Sequence, residues 1–301
     1  MRLEVHRLVW VGSLAAIVAL GGDDPAARDS TRPNSKGAAK PDPVVAEVLK
    51  LHNRERAKAK LPPLTLEPKL TDAAKRHALD MAEHDTMSHE GSDGSNPQQR
   101  IEAAGYKGRG TGENVAFGAR TPAAVVQGWM DSPPHKKNIL GDYQDVGIAV
   151  AKSDDGTPYW CIDFGKPWPK VNPDKQVRLA IEVLNDEREK ADLPALKVNA
   201  KLARVAEDIA ARLAKDAKDE KDARADLGGA TKEVEKAGYR FERIGLSAAS
   251  GLADAEAVVK GWLKDEGTKK NLLGDFSEVG VGMATTDEGV PWWCLILAKP
   301  L

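Results

Sequence analysis

Cysteine is scarce here, with two residues in 301, which excludes a disulfide-built scaffold and a cysteine-built zinc module. Neither charge sign dominates. Lys and Arg total 44 against 46 for Asp and Glu, a net charge of −2, so there is no global basic field to collect nucleic acid. Long apolar runs are missing too. The longest, Leu8–Leu20, has 13 residues. As a helix it reaches about 20 Å, short of a hydrocarbon core of roughly 30 Å. There is no Gly-rich phosphate loop and no GxSxG elbow. What is present is ordinary: 41% hydrophobic and 30% charged residues, enough for two soluble globular domains.

The first 21 residues combine Arg2 and Arg7 with that short apolar run and small residues at Ala19 and Gly21. This is the pattern of an export signal, kept or cleaved, and it implies a secreted, periplasmic or otherwise extracytoplasmic location with no other membrane span. No Cys lies beside Gly21 and Gly22, which argues against a lipid anchor there. Residues 22–41 are rich in Pro, Gly, Asp and Ser without apolar periodicity and read as a flexible linker.

The remainder contains itself twice. Residues 124–167 and 257–300 align without gaps, with 21 of 44 positions identical. Upstream, Asn53, Glu55 and Arg56 meet Asn185, Glu187 and Arg188, and Leu61-Pro62 meets Leu193-Pro194. The units expected are 42–168 and 174–301, joined by 169–173. Each is domain-sized and too long for a solenoid repeat. In the first unit, helical patterns cover 44–60, 70–83, 97–104 and 122–130. Residues 144–152 and 157–164 read as a β-hairpin turning at Asp154-Asp155-Gly156. Helices followed by strands indicate an α+β fold.

Seven ordered blocks of the first unit carry a resemblance. They include His52-Asn53 with Arg56, Ser88-His89, Gly91–Gly94, and Arg100-Ile101 with Ala104-Gly105-Tyr106. Gly112-Glu113-Asn114-Val115-Ala116, Trp129–His135 with Asn138-Ile139-Leu140, and Val146-Gly147 with Tyr159-Trp160 complete the series. The chain resembles the bacterial branch of the CAP superfamily, the SCP-like domains related to cysteine-rich secretory proteins, antigen 5 and pathogenesis-related proteins. The resemblance implies tandem α-β-α sandwiches, each with a short antiparallel sheet between helical layers. It also implies that His89, Glu113 and His135 share the rim of one cleft, with Asn114 and Ser132 lining it.

Two imidazoles and a carboxylate suit Zn²⁺ or another divalent metal. They also suit proton transfer, or His89 and Glu113 could simply bond a loop to the sheet. Eukaryotic relatives place a second cleft Glu where this chain has Ser132, so their four-residue cluster is incomplete here. His52, His77 and His84 read as helix-packing or surface residues, and Cys161 and Cys294 as unbridged core thiols.

In the second unit Glu113 becomes Leu246, Asn114 becomes Ser247 and His135 becomes Thr268, and no His occurs after Lys170. The run Lys215–Asp226, with four basic and five acidic residues, stands where His89 would be and reads as a solvated face. The leading expectation is an exported protein binding a small-molecule, lipid or envelope ligand or a protein partner in the first cleft, with a structural or partner-binding second domain. A metal-assisted hydrolase built on His89, Glu113 and His135 is the rival, and a purely structural envelope protein the third.

Overall fold

The structure, a computed structural model, describes residues 2–5, 42–216 and 220–301. The expected linker and most of the expected export signal lie outside the described residues. Residues 2–5 form β1 (Arg2–Val5). The described residues divide into two compact units, one of residues 42–106 and 110–166 and the other of residues 2–5, 107–109 and 167–301.

The first unit runs α1 (Pro43–Lys58), β2 (Thr65–Leu66), α2 (Pro68–Glu83), α3 (Pro97–Ala103), β3 (Gly110–Phe117), α4 (Pro122–Asp131), α5 (Pro133–Ile139), β4 (Asp145–Lys152) and β5 (Pro158–Lys166). All five helices open on proline, whose fixed φ and missing N–H suit the first turn. Asp42, Glu67, Asn96 and Thr121 accept hydrogen bonds from first-turn amides of the first four. The sheet order is β2-β4-β5-β3. Its three long strands are antiparallel. The two-residue β2 joins β4 in parallel, a departure from a purely antiparallel sheet.

Side-chain alternation along β5 assigns the two faces. Trp160, Ile162 and Phe164 meet α1 and α4 through Val48, Leu51, Val125 and Trp129. Tyr159 and Cys161 face α2 through Ala74, Ala78 and Met81. The α2 side is the tighter one. A Cβ at Gly147 of β4 would stand 2.0 Å from the backbone carbon of Leu70, so α2 rests directly on strand backbone.

The second unit repeats this plan with α6 (Pro173–Glu189), β6 (Lys197–Val198), α7 (Ala200–Asp216), α8 (Glu220–Lys236), β7 (Phe241–Ser250), α9 (Ala255–Lys264), α10 (Glu266–Leu272), β8 (Glu278–Thr285) and β9 (Pro291–Pro300). Its sheet has the same order, β6-β8-β9-β7, with β1 added in parallel on β7. Gly280 meets Leu202 as Gly147 meets Leu70. The charged run read as a solvated face ends α7 and begins α8, and Ala223 within it is fully buried on the inner side. Both cysteines are buried and neither is in a disulfide.

His52 lies fully buried on α1, against Trp129 and Phe164. Its Nδ1–H donates to the Val48 carbonyl at 2.9 Å, and Nε2 has no hydrogen-bond partner. Burial pushes its pKa from 6.5 down to about 4, against the raising effect of the Val48 carbonyl. Because the folded pKa is the lower one, the unfolded chain gains the proton first on acidification. Stability contributed above pH 6.5 is therefore lost progressively until about pH 4, by about 3 kcal/mol. The repeat aligns His52 with Leu184, also buried. Denaturant unfolding of wild type and H52L at neutral pH and near pH 4 checks this. The variant is expected to lose less stability on acidification, and equal losses would remove His52 as the cause.

Candidate functional site

Glu113 sits in the middle of β3, paired across the sheet with Asp163 of β5. Its side chain is 2% exposed, yet both carboxylate oxygens are engaged. His89 Nδ1–H donates to Oε1 at 2.6 Å, and Arg100 Nη2 donates to Oε2 at 2.7 Å. Burial raises the Glu113 pKa, but the His89 hydrogen bond and the Arg100 and His77 charges outweigh it and hold the group below its ordinary range. The same bond raises His89 above its ordinary value, against desolvation. Since a carboxylate only accepts, Nδ1 carries the proton, and the His89 Nε2 lone pair is left for the outside. The His89 side chain is 55% exposed.

Three anchors hold the His89 loop. Arg100 Nη2 donates to the His89 carbonyl at 3.0 Å, and Arg100 Nη1 to the Ser95 carbonyl at 2.7 Å. His77 Nε2–H donates to the Ser88 carbonyl at 2.8 Å. His77, read from the sequence only as a packing or surface residue, is thus part of the network. Its Nε2 lies 4.0 Å from Glu113 Oε2, and desolvation lowers its pKa.

His135 does not complete a tight trio. Among the described residues, the group of three donors lying within 4.8 Å of one another is instead Glu113, Cys161 and Asp163. The pleat explains the difference. Glu113 points to the α2 face, whereas the next residue, Asn114, points to the α5 face. Asn114, expected to line the cleft, is fully buried. Its Nδ2 donates to the His135 carbonyl at 3.1 Å, and its Oδ1 accepts from Asn138 at 2.9 Å. Desolvation and the charge of His89 lower the His135 pKa. Ser132 joins α4 to α5 and makes no capping bond from its side chain.

Two donor sets can be tested for a divalent metal. The inner one does not fit. Burial pushes both the Cys161 thiol and the Asp163 carboxyl well up, keeping them neutral, and metal ligands must be deprotonated. The Arg100 guanidinium already occupies Glu113. The outer set fits better. His89 presents an unbonded Nε2 while Glu113 orients the ring through Nδ1, the arrangement that supports a histidine ligand from behind. Here Glu113 positions His89 and offers no free oxygen.

The second unit keeps the scaffold and replaces this network. At the positions of His77, Glu113 and Asp163 stand Ile209, Leu246 and Ile296, all within one buried apolar cluster. The register is unchanged, with Leu246 paired to Ile296 as Glu113 is to Asp163. Thr268, at the place of His135, is buried.

Two segments match the family described as CAP, the cysteine-rich secretory protein family: residues 49–164 and 181–296. The uncharacterized protein YkwD of Bacillus subtilis is 29% identical over 130 residues, 43% of this chain and 51% of its own length, so the chain spans about half of that relative. Among solved structures, an outer surface protein of Borrelia burgdorferi is 28% identical, with 40% of this chain and 89% of that one covered and a TM-score of 0.37. An extracellular protein containing an SCP domain from Bacillus anthracis is 24% identical over 44% and 45% of the two chains, with a TM-score of 0.37.

Proposed function

The chain belongs to the CAP, or cysteine-rich secretory protein, family and carries its domain twice; from that premise we propose that only the first copy binds a ligand, at the rim formed by His89 and His135. The observation that carries this reading is the contrast between the copies. The same strands in the same register hold Leu246 and Ile296 in one and Glu113 and Asp163 in the other. The fold therefore does not need the polar network, and buried ionised groups that a fold can do without point to a task.

In this reading His89 and His135 hold a divalent cation such as Zn²⁺, and Glu113 orients His89. A bound cation would supply a Lewis-acidic centre for an anionic or carbonyl-bearing ligand. The expected export signal supports placing this activity outside the cytoplasm. Among the described residues no helix is long and apolar enough to cross a membrane.

Calorimetric titration of the full chain with Zn²⁺ tests the assignment. One ion per chain is expected, with binding lost in H89Q/H135Q. E113Q should weaken it about 10–100-fold, the usual effect of removing an outer-shell partner. Binding that survives H89Q/H135Q, or none in wild type, would refute the site.

A further inference from the structure

The unabsorbed feature is a groove of about 540 Å³ between α2 and α3, roofed by the Gly91–Ser95 turn. One wall is a single face of α2, with Arg76, His77 and Asp80, and Asp93 stands on the turn. Charge pairing leaves this groove electronegative. Arg76 is bonded to Asp72 and Arg100 to Glu113. Asp80 and Asp93 are bonded by neutral donors, the Ser92 amide and hydroxyl for Asp80 and the Ser95 amide and side chain for Asp93, and Arg100 acts on Asp93 through its charge. Nearby His84 Nδ1 stands 3.3 Å from Asp80 Oδ1, but its proton goes to the Asp80 carbonyl.

A second observation marks the wall. His77 is completely buried at its side chain, and its Nε2–H is committed to Ser88. Its Nδ1 is therefore a lone-pair acceptor, without a hydrogen-bond partner, 3.8 Å from Asp80 Oδ2. A buried acceptor of this kind beside a carboxylate lacks an N–H donor. The other copy shows how the fold closes this space. The repeat aligns Asp80 with Arg212 and Arg100 with Glu233, a reversal of charge. Arg212 donates to both oxygens of Glu233, at 3.1 and 2.9 Å, and ties α7 to α8. In the first copy Arg100 turns to Glu113 instead, and the groove stays open.

We infer that the α2–α3 groove of the first copy is a second binding site, separate from the imidazole rim, for a small ligand carrying a primary ammonium group. The ammonium is received by Asp80 and Asp93 with His77 Nδ1 behind them, and the Gln99 side-chain NH₂, which also lines the groove, suits a hydroxyl acceptor on the ligand body.

Glucosamine is the probe, and N-acetylglucosamine, the same ring without the positive charge, is its control. Amide and imidazole NMR shifts of the full chain are followed during titration. Glucosamine should move Ser92, Ser95 and the His77 ring saturably, the control should not, and D80N/D93N should weaken the response at least tenfold while its thermal unfolding stays that of wild type. Equal responses to both sugars, saturation that persists in D80N/D93N, shifts confined to His89 and His135, or no saturable shift all overturn the assignment. The last two leave the Zn²⁺ reading standing, because calorimetry measures that separately.

Discussion

Glu113→Leu alone is expected to destabilise the first unit by about 3–5 kcal/mol, the usual consequence of removing one partner from a buried ion pair. The five-fold variant H77I/D80R/R100E/E113L/D163I should behave in the opposite way. It is expected to unfold at the wild-type temperature or above and to bind Zn²⁺ about 10–100-fold more weakly than wild type, because His89 and His135 remain but lose their support. The reason is visible in the second unit, where Ile209, Leu246 and Ile296 pack together and Arg212 bonds Glu233. A single change strands Arg100, whose side chain is 11% exposed, against an apolar neighbour. The full set removes the buried charges of Glu113 and Arg100 together, and buried ion clusters replaced by packed apolar side chains are often neutral or stabilising. Thermal unfolding and Zn²⁺ titration of the two variants decide it. A five-fold variant less stable than E113L would show that the network belongs to the architecture and would remove the functional argument.

A comparable loss is expected at Arg56. This residue, 1% exposed on α1, donates from Nε to the Pro62 carbonyl, from Nη1 to Ile139 and Gly141, and from Nη2 to Tyr143, all within 2.9 Å. Arg188 repeats the pattern on Pro194, Leu272, Gly274 and Phe276. No other side chain offers five donors in a planar fork. R56M should cost about 3–5 kcal/mol, since it leaves four carbonyls without their donor. R56K should recover little, because an ammonium cannot span four acceptors spread over two loops. Since these carbonyls fix the end of α5, which carries His135, weakened Zn²⁺ binding should accompany the loss. Denaturant unfolding measures the effect, and an R56K variant as stable as wild type would contradict the account.

Much of the fold was legible because it is written in local signals. Proline after a capping residue marks Asp42-Pro43, Asn96-Pro97 and Thr121-Pro122, and the hairpin turn shows as Asp-Asp-Gly. The internal repeat made the units visible. The site was only partly legible. His89, Glu113 and His135 could be singled out through the resemblance, but their division into an inner and an outer tier depends on which face of β3 each neighbour reaches. β3 begins at Gly110, three residues before Glu113, and no local signal in the sequence marks which face of it Glu113 takes. Arg100 stood in a block of the resemblance without a role of its own, and His77 and Asp163 stood in none. The signal that could have found them lay in the repeat, where Glu233, Ile209 and Ile296 change together with Leu246.

The bare glycine under α2 bears on how the groove and the rim could communicate. With Gly147 against Leu70, no side chain lies between helix and strand at the start of α2. A helix seated on backbone cannot slide as a lever without lifting off the sheet altogether. Two side chains join the two places: Arg100, which grips the turn on one side and the imidazole loop on the other, and His77, which lines the groove and holds the Ser88 carbonyl.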